Sequence, residues 1–225
     1  PTIHCEVLPR ISTNAVGFPS SSCQITVPNF SVSREKDPAV FQGLVDTANS
    51  IPGCFVFDVQ SDGNHNRCVF TLLGSPEAMG EAAFQLTKKA TETIDMRRHT
   101  GQHPRMGATD VIPFIPTMDT SVEECVELSK RVAARIWDEL RVPSFLYEDS
   151  ASRPERRNLA ACRKGQFEGM SEKLLEPDWA PDYGERKIHP TAGIIAIGAR
   201  MPLIAYNINL DTSDVEVAKK IAKAI

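Results

Sequence analysis

The richest concentration of reactive side chains lies in residues 95–107, which contain two histidines and three arginines. The spacing of His99 and His103 would place two metal ligands on one face of a helix, as in zinc proteases. Gly101 and Pro104 interrupt such a helix, and no glutamate stands where zinc proteases have one. Metal binding is therefore the minor interpretation. A loop shaped by glycine and proline that carries histidine and arginine favours an anionic substrate over an ordinary basic surface loop.

His103 is the best candidate for a general acid/base in this stretch. An imidazole titrates near neutral pH, so it can accept and return a proton within one turnover. Pro104 follows it and restricts the backbone of His103 to extended conformations, which makes its placement more definite. Two residues after His103, the guanidinium of Arg105 could bind a carboxylate through two parallel hydrogen bonds.

A second polar cluster occupies residues 58–67 and includes Asp62, His65, Asn66 and Arg67. These residue types suit a loop that contacts a substrate. They suit the turn of a polar hairpin equally well, because aspartate, glycine and asparagine stabilise turns. Both interpretations remain open from the sequence.

Two further clusters carry less information. The arginines of residues 153–157, together with Arg163 and Lys164, are explained equally well as solvated charge. Residues 189–193 have no lysine and only one glycine, so they are not a phosphate-binding loop, and residues 198–200 are not a dinucleotide fingerprint. The polar clusters by themselves indicate a ligand with carboxylates and nothing narrower.

Composition limits the class of protein. The chain has 225 residues, of which 41% are hydrophobic and 24% charged, and this is enough apolar material for a core. There is no apolar run of the length of a membrane span and no secretory signal pattern, so an intracellular protein is expected. A net charge of −4 argues against bulk binding to nucleic acid or anionic lipid. The six cysteines are scattered and are interpreted as structural thiols.

Strand and helix patterns alternate along the chain. The prolines of residues 110–116 predict a strand at a sheet edge or with a bent course. The predicted elements are a helix over 33–49, strands over 54–59 and 68–73, a helix from 75 to about 96, a strand over 110–116, a helix between 121 and 143, a strand over 144–147, helical turns within 148–186, a strand pair over 193–199 and 203–210, and a helix from 213. This order predicts an α+β protein, a ferredoxin-like βαββαβ sandwich with helices packed on a mainly antiparallel sheet.

Several segments resemble the N-terminal subdomain of the glutamate formiminotransferase family. The longest is the run from His99 to Ala108, His-Thr-Gly-Gln-His-Pro-Arg-Met-Gly-Ala, which is specific for that family. The other matching segments are 27–31, 110–116, 179–184, 189–193 and 198–210. Since the resemblance covers about Cys23 to Ile225, residues 1–22 are interpreted as an N-terminal extension and residues 23–225 as the subdomain.

The resemblance implies transfer of a formimino group from N-formimino-L-glutamate to tetrahydrofolate in histidine degradation. It implies a cytoplasmic homodimer that needs no metal, and it assigns the catalytic histidine to His103. The implied folate-binding residues are Gly184, Glu185, Arg186, Lys187, Ile188, His189, Pro190, Thr191, Ala192 and Gly193. The candidate substrate-binding residues are Arg105 and Arg156, chosen on charge and position, and Asp62, His65, Asn66 and Arg67, whose loop resembles that of bacterial members.

The sequence differs from the family pattern in two motifs, and the resemblance also covers only part of the family enzyme. The Asp-Val-Asp of mammalian-type members reads Asp58-Val59-Gln60, and their Asn-Phe-Ser-Glu-Gly-Arg reads Asn-Phe-Ser-Val-Ser-Arg at residues 29–34. The match also ends where a second, C-terminal subdomain of the family enzyme would begin. The alternative interpretation is a non-catalytic folate- or glutamate-binding module, or a half-enzyme that needs a partner subdomain.

Overall fold

The structure is a computed structural model that describes residues 22–117, 119–203 and 210–224. The predicted N-terminal extension, including Cys5, lies outside the described residues except for residue 22. The strand predicted over 203–210 lies outside them except for its two end residues. Within the described residues, no helix combines the length and the apolar character that a membrane crossing requires.

The described residues form a mixed α+β structure. The strands are β1 (Gln24–Thr26), β2 (Asn29–Phe30), β3 (Cys54–Asp62), β4 (Arg67–Gly74), β5 (Thr109–Ile115), β6 (Ser144–Leu146) and β7 (Ile195–Ala199). The helices are α1 (Pro38–Ser50), α2 (Pro76–Thr93), α3 (Val122–Leu140), α4 (Leu159–Arg163), α5 (Gln166–Lys173) and α6 (Val215–Ala224).

The first part of the sheet is antiparallel and has the strand order of a ferredoxin-like fold. β1 and β2 are two pieces of one interrupted strand, and each pairs with β4 on one side and β5 on the other. β3 pairs with the free side of β4. With α1 before β3 and α2 before β5, the chain reads βαββαβ. The predicted fold class is therefore confirmed.

Two parallel strands extend this unit. β7 pairs with β5, and β6 pairs with β7, both in parallel register. The first alternative for residues 110–116, an edge strand, was wrong, because β5 lies inside the sheet and all of its residues are buried. The second alternative, a bent course, stays a prediction. Pro113 is accommodated there although it lacks an N–H group, and its carbonyl accepts the Thr26 hydroxyl at 2.8 Å.

Local signals account for where the long helices begin. The Ser75 hydroxyl caps α2 by accepting from the Ala78 N–H, and Pro76 occupies the first helical position. α3 begins with the predicted capping box, in which Ser121 and Glu124 each bind the other's backbone N–H. The helix expected from residue 33 begins only at Pro38, where Asp37 caps it.

The two faces of the sheet are covered differently. Side chains of α1, α2 and α3 form the main core with alternate residues of β4, β5 and β7. A second core lies on the opposite face of β5, β6 and β7, where residues of α4 and α5 cover it. On that same side of β4, Arg67, Val69 and Thr71 are only half-buried. The boundary between the covered and the open part of this face is where the candidate site lies.

Candidate functional site

The predicted catalytic loop lies at one edge of the sheet, where several strands begin or end. Asp62 at the end of β3 pairs with Arg67 at the start of β4. Phe30, at the end of β2, lies between Cys68 of β4 and Thr109 of β5. Because residues 99–106 lead directly into β5, they reach the same edge as the β3–β4 hairpin loop.

The hairpin loop is organised by one carboxylate. Oδ1 of Asp62 accepts hydrogen bonds from the backbone N–H groups of Asn64 (2.8 Å) and His65 (2.9 Å). Oδ2 of Asp62 lies 2.9 Å from Nδ1 of His65. Hydrogen bonds from the backbone and the side chain of His65 are the main cause that lowers the pKa of Asp62. The contacts of Asp62 therefore stabilise the turn, in agreement with the interpretation of residues 58–67 as a polar hairpin.

The hairpin loop and the His103 loop are clamped together. The Gln102 N–H donates to the Asn64 carbonyl at 3.0 Å, and the Asn66 side-chain amide donates to the Thr100 carbonyl at 3.0 Å. Nε2 of His99 lies 2.9 Å from the Asn66 carbonyl. We call these contacts the loop clamp.

Gly101 is required by the close approach of the two loops. A Cβ atom at this position would collide with the carbonyl oxygen of His65 and with the side chain of Asn66. Only glycine lets the backbone come this close without displacing the hairpin. The glycine that argued against a helical metal site in the sequence is therefore part of the loop clamp.

Arg105 is buried and its donors are used by the protein. Its Nε donates to Nδ1 of His99 at 3.1 Å, and its two amino groups bind both oxygens of Glu168 at 2.6 and 2.9 Å. Gln166 accepts a further hydrogen bond at 2.9 Å. Because Nδ1 of His99 accepts, its Nε2 carries the proton and donates to Asn66. The geometry thus gives Arg105 a part in holding the loop against α5, and its contact with substrate stays a prediction.

His103 is almost enclosed, with 7% of its surface exposed. Its ring stands edge-on to that of His65, with the ring centres 6.5 Å apart. Burial, followed by the charges of Arg67 and Arg163, lowers the pKa of His103 to about 3. The imidazole is therefore neutral at physiological pH, and among the described residues no group forms a hydrogen bond with its ring nitrogens. A neutral, unpartnered imidazole can act as a base.

Two arginines close to His103 differ in their partners. Arg163 donates one amino group to Oδ2 of Asp110, which is fully buried, while Oδ1 of Asp110 accepts the Met106 N–H at 3.0 Å. The side chain of Arg67 forms no ion pair or hydrogen bond with any described residue. Burial, and then the charge of Arg163, lowers the pKa of the Arg67 guanidinium. The predicted Arg67 is thus brought to His103 together with Arg163.

Arg163 and its partner Asp110 were missed as site residues from the sequence. Arg163 was equally well explained there as solvated charge, and Asp110 was taken only as the start of a strand. They are 53 positions apart in the chain, so no local pattern links them. The available signal was the pairing of an aspartate at the head of a buried strand with a basic residue at a helix end, and this signal is weak.

The predicted folate-binding segment divides into two parts. Its second part joins the site: the Ala192 carbonyl accepts from the Ala108 N–H at 2.9 Å, and the Met106 carbonyl accepts from the Ile194 N–H at 3.1 Å. Gly193 has a φ of 72° and lies against the backbone of Met106, where a side chain would collide. The first part, residues 184–187, is exposed and runs past the start of β6.

Arg156 does not join the other predicted substrate-binding residues. It is 1% exposed, and its guanidinium binds Asp182 and the backbone carbonyls of Asp178 and Ala180. It also lies over the Phe145 ring, 5.0 Å from the ring centre. These contacts fix the 177–182 segment against β6 and leave Arg156 a structural cation.

Two open cavities border the site. One, of about 430 Å³, is lined by Asp58, Gln60, Ser61, Asp62, Arg67 and Val69. The other, of about 340 Å³, is lined by Pro104, Ala160, Arg163, Lys164, Gly165 and Gln166. Each cavity thus contains one of the two arginines whose charges act on His103. In the part of the chain that the structure describes, no cluster of three histidine, cysteine or acidic side chains could hold a metal ion. That no metal takes part stays a prediction.

Comparison with known proteins gives three informative relatives. A protein of Streptococcus pyogenes serotype M1 named glutamate formimidoyltransferase is 64% identical over 199 residues, which cover 88% of this chain and 66% of that protein. One of the same name from Thermoplasma acidophilum is 45% identical and covers 88% and 65%. A formimidoyltransferase-cyclodeaminase of Gallus gallus is 44% identical and covers 87% and 36%. The chain therefore spans just under two thirds of the length of the first two.

A family model also matches most of the chain. Its description is formiminotransferase domain, N-terminal subdomain, and the match runs over residues 23–200. This range contains the loop clamp, His103, both arginines and the whole predicted folate-binding segment. The match and the identity to the relatives agree with the resemblance seen in the sequence, and the chain belongs to the formiminotransferase N-terminal subdomain family.

Proposed function

We propose that this chain carries the catalytic histidine of a glutamate formimidoyltransferase, which moves a formimino group from N-formimino-L-glutamate to tetrahydrofolate. The observation that carries the proposal is the enclosed, neutral His103, which is fixed by the loop clamp beside Arg67 and Arg163. A base of this kind next to excess positive charge suits the transfer of a proton on an anionic substrate.

The reaction needs one proton to move between two nitrogens. N5 of tetrahydrofolate attacks the amidine carbon and forms a tetrahedral intermediate, and His103 takes the proton that N5 gives up. The bond from that carbon to the glutamate nitrogen then breaks, and His103 returns the proton to this nitrogen so that glutamate leaves as the amine. The imidazole ends neutral, as it began, and a single group suffices as base and then as acid.

The low pKa of His103 depends in part on neighbouring positive charges. Two of its causes are the charges of Arg67 and Arg163, and an anionic substrate that neutralises them raises the pKa of His103 towards its usual range. The imidazole would then be a stronger base when the substrate is bound than when it is absent. Holding the two substrates together at this edge would supply a further part of the rate.

The remaining parts of the proposal follow from family membership. Residues 184–193 are proposed to contact the folate, with the part next to Met106 nearest to the reacting atoms. Asp62, His65 and Asn66 are proposed to act mainly by shaping the hairpin loop. A role in histidine degradation, a homodimer, a cytoplasmic location and a reaction without a metal are included in the proposal.

The alternative is a non-catalytic folate- or glutamate-binding module, or a half-enzyme that needs a partner subdomain. The observation that favours it is Gln60, whose amide donates to Asp58 at 3.0 Å, where the resemblance implies an acid in mammalian-type members.

One assay separates these possibilities. The chain is mixed with formiminoglutamate and tetrahydrofolate, 5-formiminotetrahydrofolate is quantified by mass spectrometry, and folate binding is measured in parallel. We expect His103→Gln to lower kcat by about 10²–10⁴-fold without loss of folate binding. The control is Arg131→Met, which changes an exposed arginine of α3. If wild type and His103→Gln bind folate and are equally inert, the catalytic proposal fails for this chain and the binding module stands.

A further inference from the structure

Arg67 stands out among the arginines of the described residues. Those that are buried or half-buried are Arg67, Arg105, Arg135, Arg156, Arg163 and Arg200. All except Arg67 and Arg200 form an ion pair with a carboxylate, and Arg200 donates to a backbone carbonyl. Arg67 has neither kind of partner in the described part of the chain. The donors of this half-buried guanidinium have no acceptor in the described protein and are therefore available to a ligand.

The carboxylate nearest in register to Arg67 forms no ion pair with it. Asp62 is the cross-strand neighbour of Arg67, but both its oxygens are engaged with residues 64 and 65 of the hairpin loop. Asp110 on the other side is shared between Arg163 and the Met106 N–H. Apart from Asp62, whose charge also acts on Arg67 from the hairpin loop, Arg67, Arg163 and Asp110 carry one net positive charge, which matches one carboxylate.

Arg163 also has an amino group available for a ligand. It uses one amino group for Asp110, and its other amino group makes no hydrogen bond to a described residue. Asp110 lies at the head of the buried strand β5, so the position of this guanidinium is fixed by the sheet. Arg67 begins β4, which places the second guanidinium on the neighbouring part of the same edge.

We propose that Arg67 and Arg163 form the binding site for the α-carboxylate of the glutamyl substrate, with Asp110 as the positioning residue of Arg163. This inference rests on the proposed function. In N-formiminoglutamate the reacting nitrogen and the α-carboxylate are attached to the same carbon, whereas the γ-carboxylate is at the end of a flexible chain. A nitrogen that exchanges a proton with His103 therefore brings the α-carboxylate to the charges that surround His103, and a guanidinium suits a carboxylate.

Ligands that differ only in which carboxylate is masked test this assignment. The binding of glutamate, glutamine and isoglutamine to the full chain is measured by isothermal titration calorimetry. Glutamine keeps the α-carboxylate and isoglutamine has it as an amide. We expect wild type to bind isoglutamine at least about tenfold more weakly than glutamine. Arg67→Met should weaken glutamate binding by at least about tenfold and abolish this preference, and Arg67→Lys should restore part of both.

The control variant is Arg131→Met, and circular dichroism with thermal unfolding shows that each variant is folded. A preference for isoglutamine in wild type would assign the site to the γ-carboxylate and overturn the proposal. Undetectable glutamate binding by wild type, or unchanged binding by a folded Arg67→Met, would overturn it as well.

Turnover of formiminoglutamate with tetrahydrofolate is followed for the same variants. If turnover depends on His103 while Arg67→Met keeps its KM for formiminoglutamate, the inference fails and the proposed function stands. If no turnover occurs but the α-carboxylate preference depends on Arg67, the proposed function fails and the carboxylate site stands. With both intact, Arg67→Met should raise the KM for formiminoglutamate and leave the KM for tetrahydrofolate unchanged.

Discussion

Arg156 and Arg163 each form an ion pair with an aspartate, but they differ in how many of their amino groups find an acceptor in the protein. Arg156 uses both of its amino groups, on Asp182 and on two backbone carbonyls. Arg163 uses one, on Asp110, and has the unpaired Arg67 beside it. A buried cation whose acceptors all come from its own chain holds the fold together. Where the chain leaves a positive charge uncompensated beside an enclosed base, the region is arranged for a ligand.

The largest expected effect tests the structural member of this pair. Arg156→Met should lower the free energy of unfolding by about 3–5 kcal/mol, because it leaves the carboxylate of Asp182 buried without its cation. The measurement is urea unfolding followed by circular dichroism. The matched control is Arg153→Met three residues earlier, whose ion pair with Asp178 is exposed and should contribute less than about 1 kcal/mol. Equal losses in the two variants would break the comparison.

A smaller effect is expected at the loop clamp, which fixes the His103 loop against the hairpin loop. Gly101→Ala should cost about 1–3 kcal/mol, because the added Cβ displaces the His65 backbone. The matched control is Gly169→Ala in α5, where an added Cβ would meet no atom within 4 Å beyond its chain neighbours and the backbone of its own helix, which should tolerate or favour alanine. Urea unfolding of both variants decides this point, and an unaffected Gly101→Ala would show that the loops can separate freely.

The pH dependence of stability sharpens the comparison further. Since the pKa of His103 falls from 6.5 to about 3 on folding, the unfolded chain binds more protons than the folded chain between these values. The free energy of unfolding should therefore decrease as the pH falls through this window. His103→Gln should remove up to about 1.4 kcal/mol per pH unit of that slope, as measured by urea unfolding at a series of pH values.

Titration of His103 also tests the role of Arg67. Arg67→Met removes a positive charge next to His103, so the pKa of His103 should rise, and an NMR titration of the imidazole measures it directly. The rise should be partial, because burial is the larger cause and remains in the variant. A pKa of His103 that does not move in Arg67→Met would mean that the two groups do not interact.

The smallest effect is expected where a buried arginine is paired with an exposed acid. Glu168→Gln should lower the free energy of unfolding by less than about 1 kcal/mol, since 64% of the Glu168 side chain is exposed and solvent already screens the pair. Glu172→Gln, an exposed neighbour on α5, is the control and should have no effect. A loss of several kcal/mol in Glu168→Gln would mean that the ion pair of Arg105 stabilises the fold as much as that of Arg156.

Local patterns predicted much of the fold. The caps at Ser75 and Ser121 and the apolar runs of β3 and β4 depend on residues that are neighbours in the chain, so their elements were placed correctly. The interior position of β5 was not predicted, because prolines usually mark an edge and the partner β7 follows 80 residues later. Strand order depends on such distant pairings, which single segments do not encode.

The site was predictable only in part for the same reason. His103 and the hairpin residues were identified because they stand in short polar runs between strong elements. Arg105 and Arg156 were chosen as carboxylate ligands for their charge, but charge alone does not reveal that the fold supplies their acceptors. Arg163, in α4, had only a weak signal in the sequence, since its importance depends on Asp110 of β5 and Arg67 of β4, which are distant in the chain.

The loop clamp has a consequence for how this site can change during evolution. Each of its hydrogen bonds has a main-chain carbonyl as acceptor, belonging to Asn64, Thr100 or Asn66. Side chains on the open face of β3, such as Gln60, can therefore be exchanged without moving His103. In such a scaffold, substitutions on β3 can change which substrate is preferred while the backbone contacts of the loop clamp keep His103 in place.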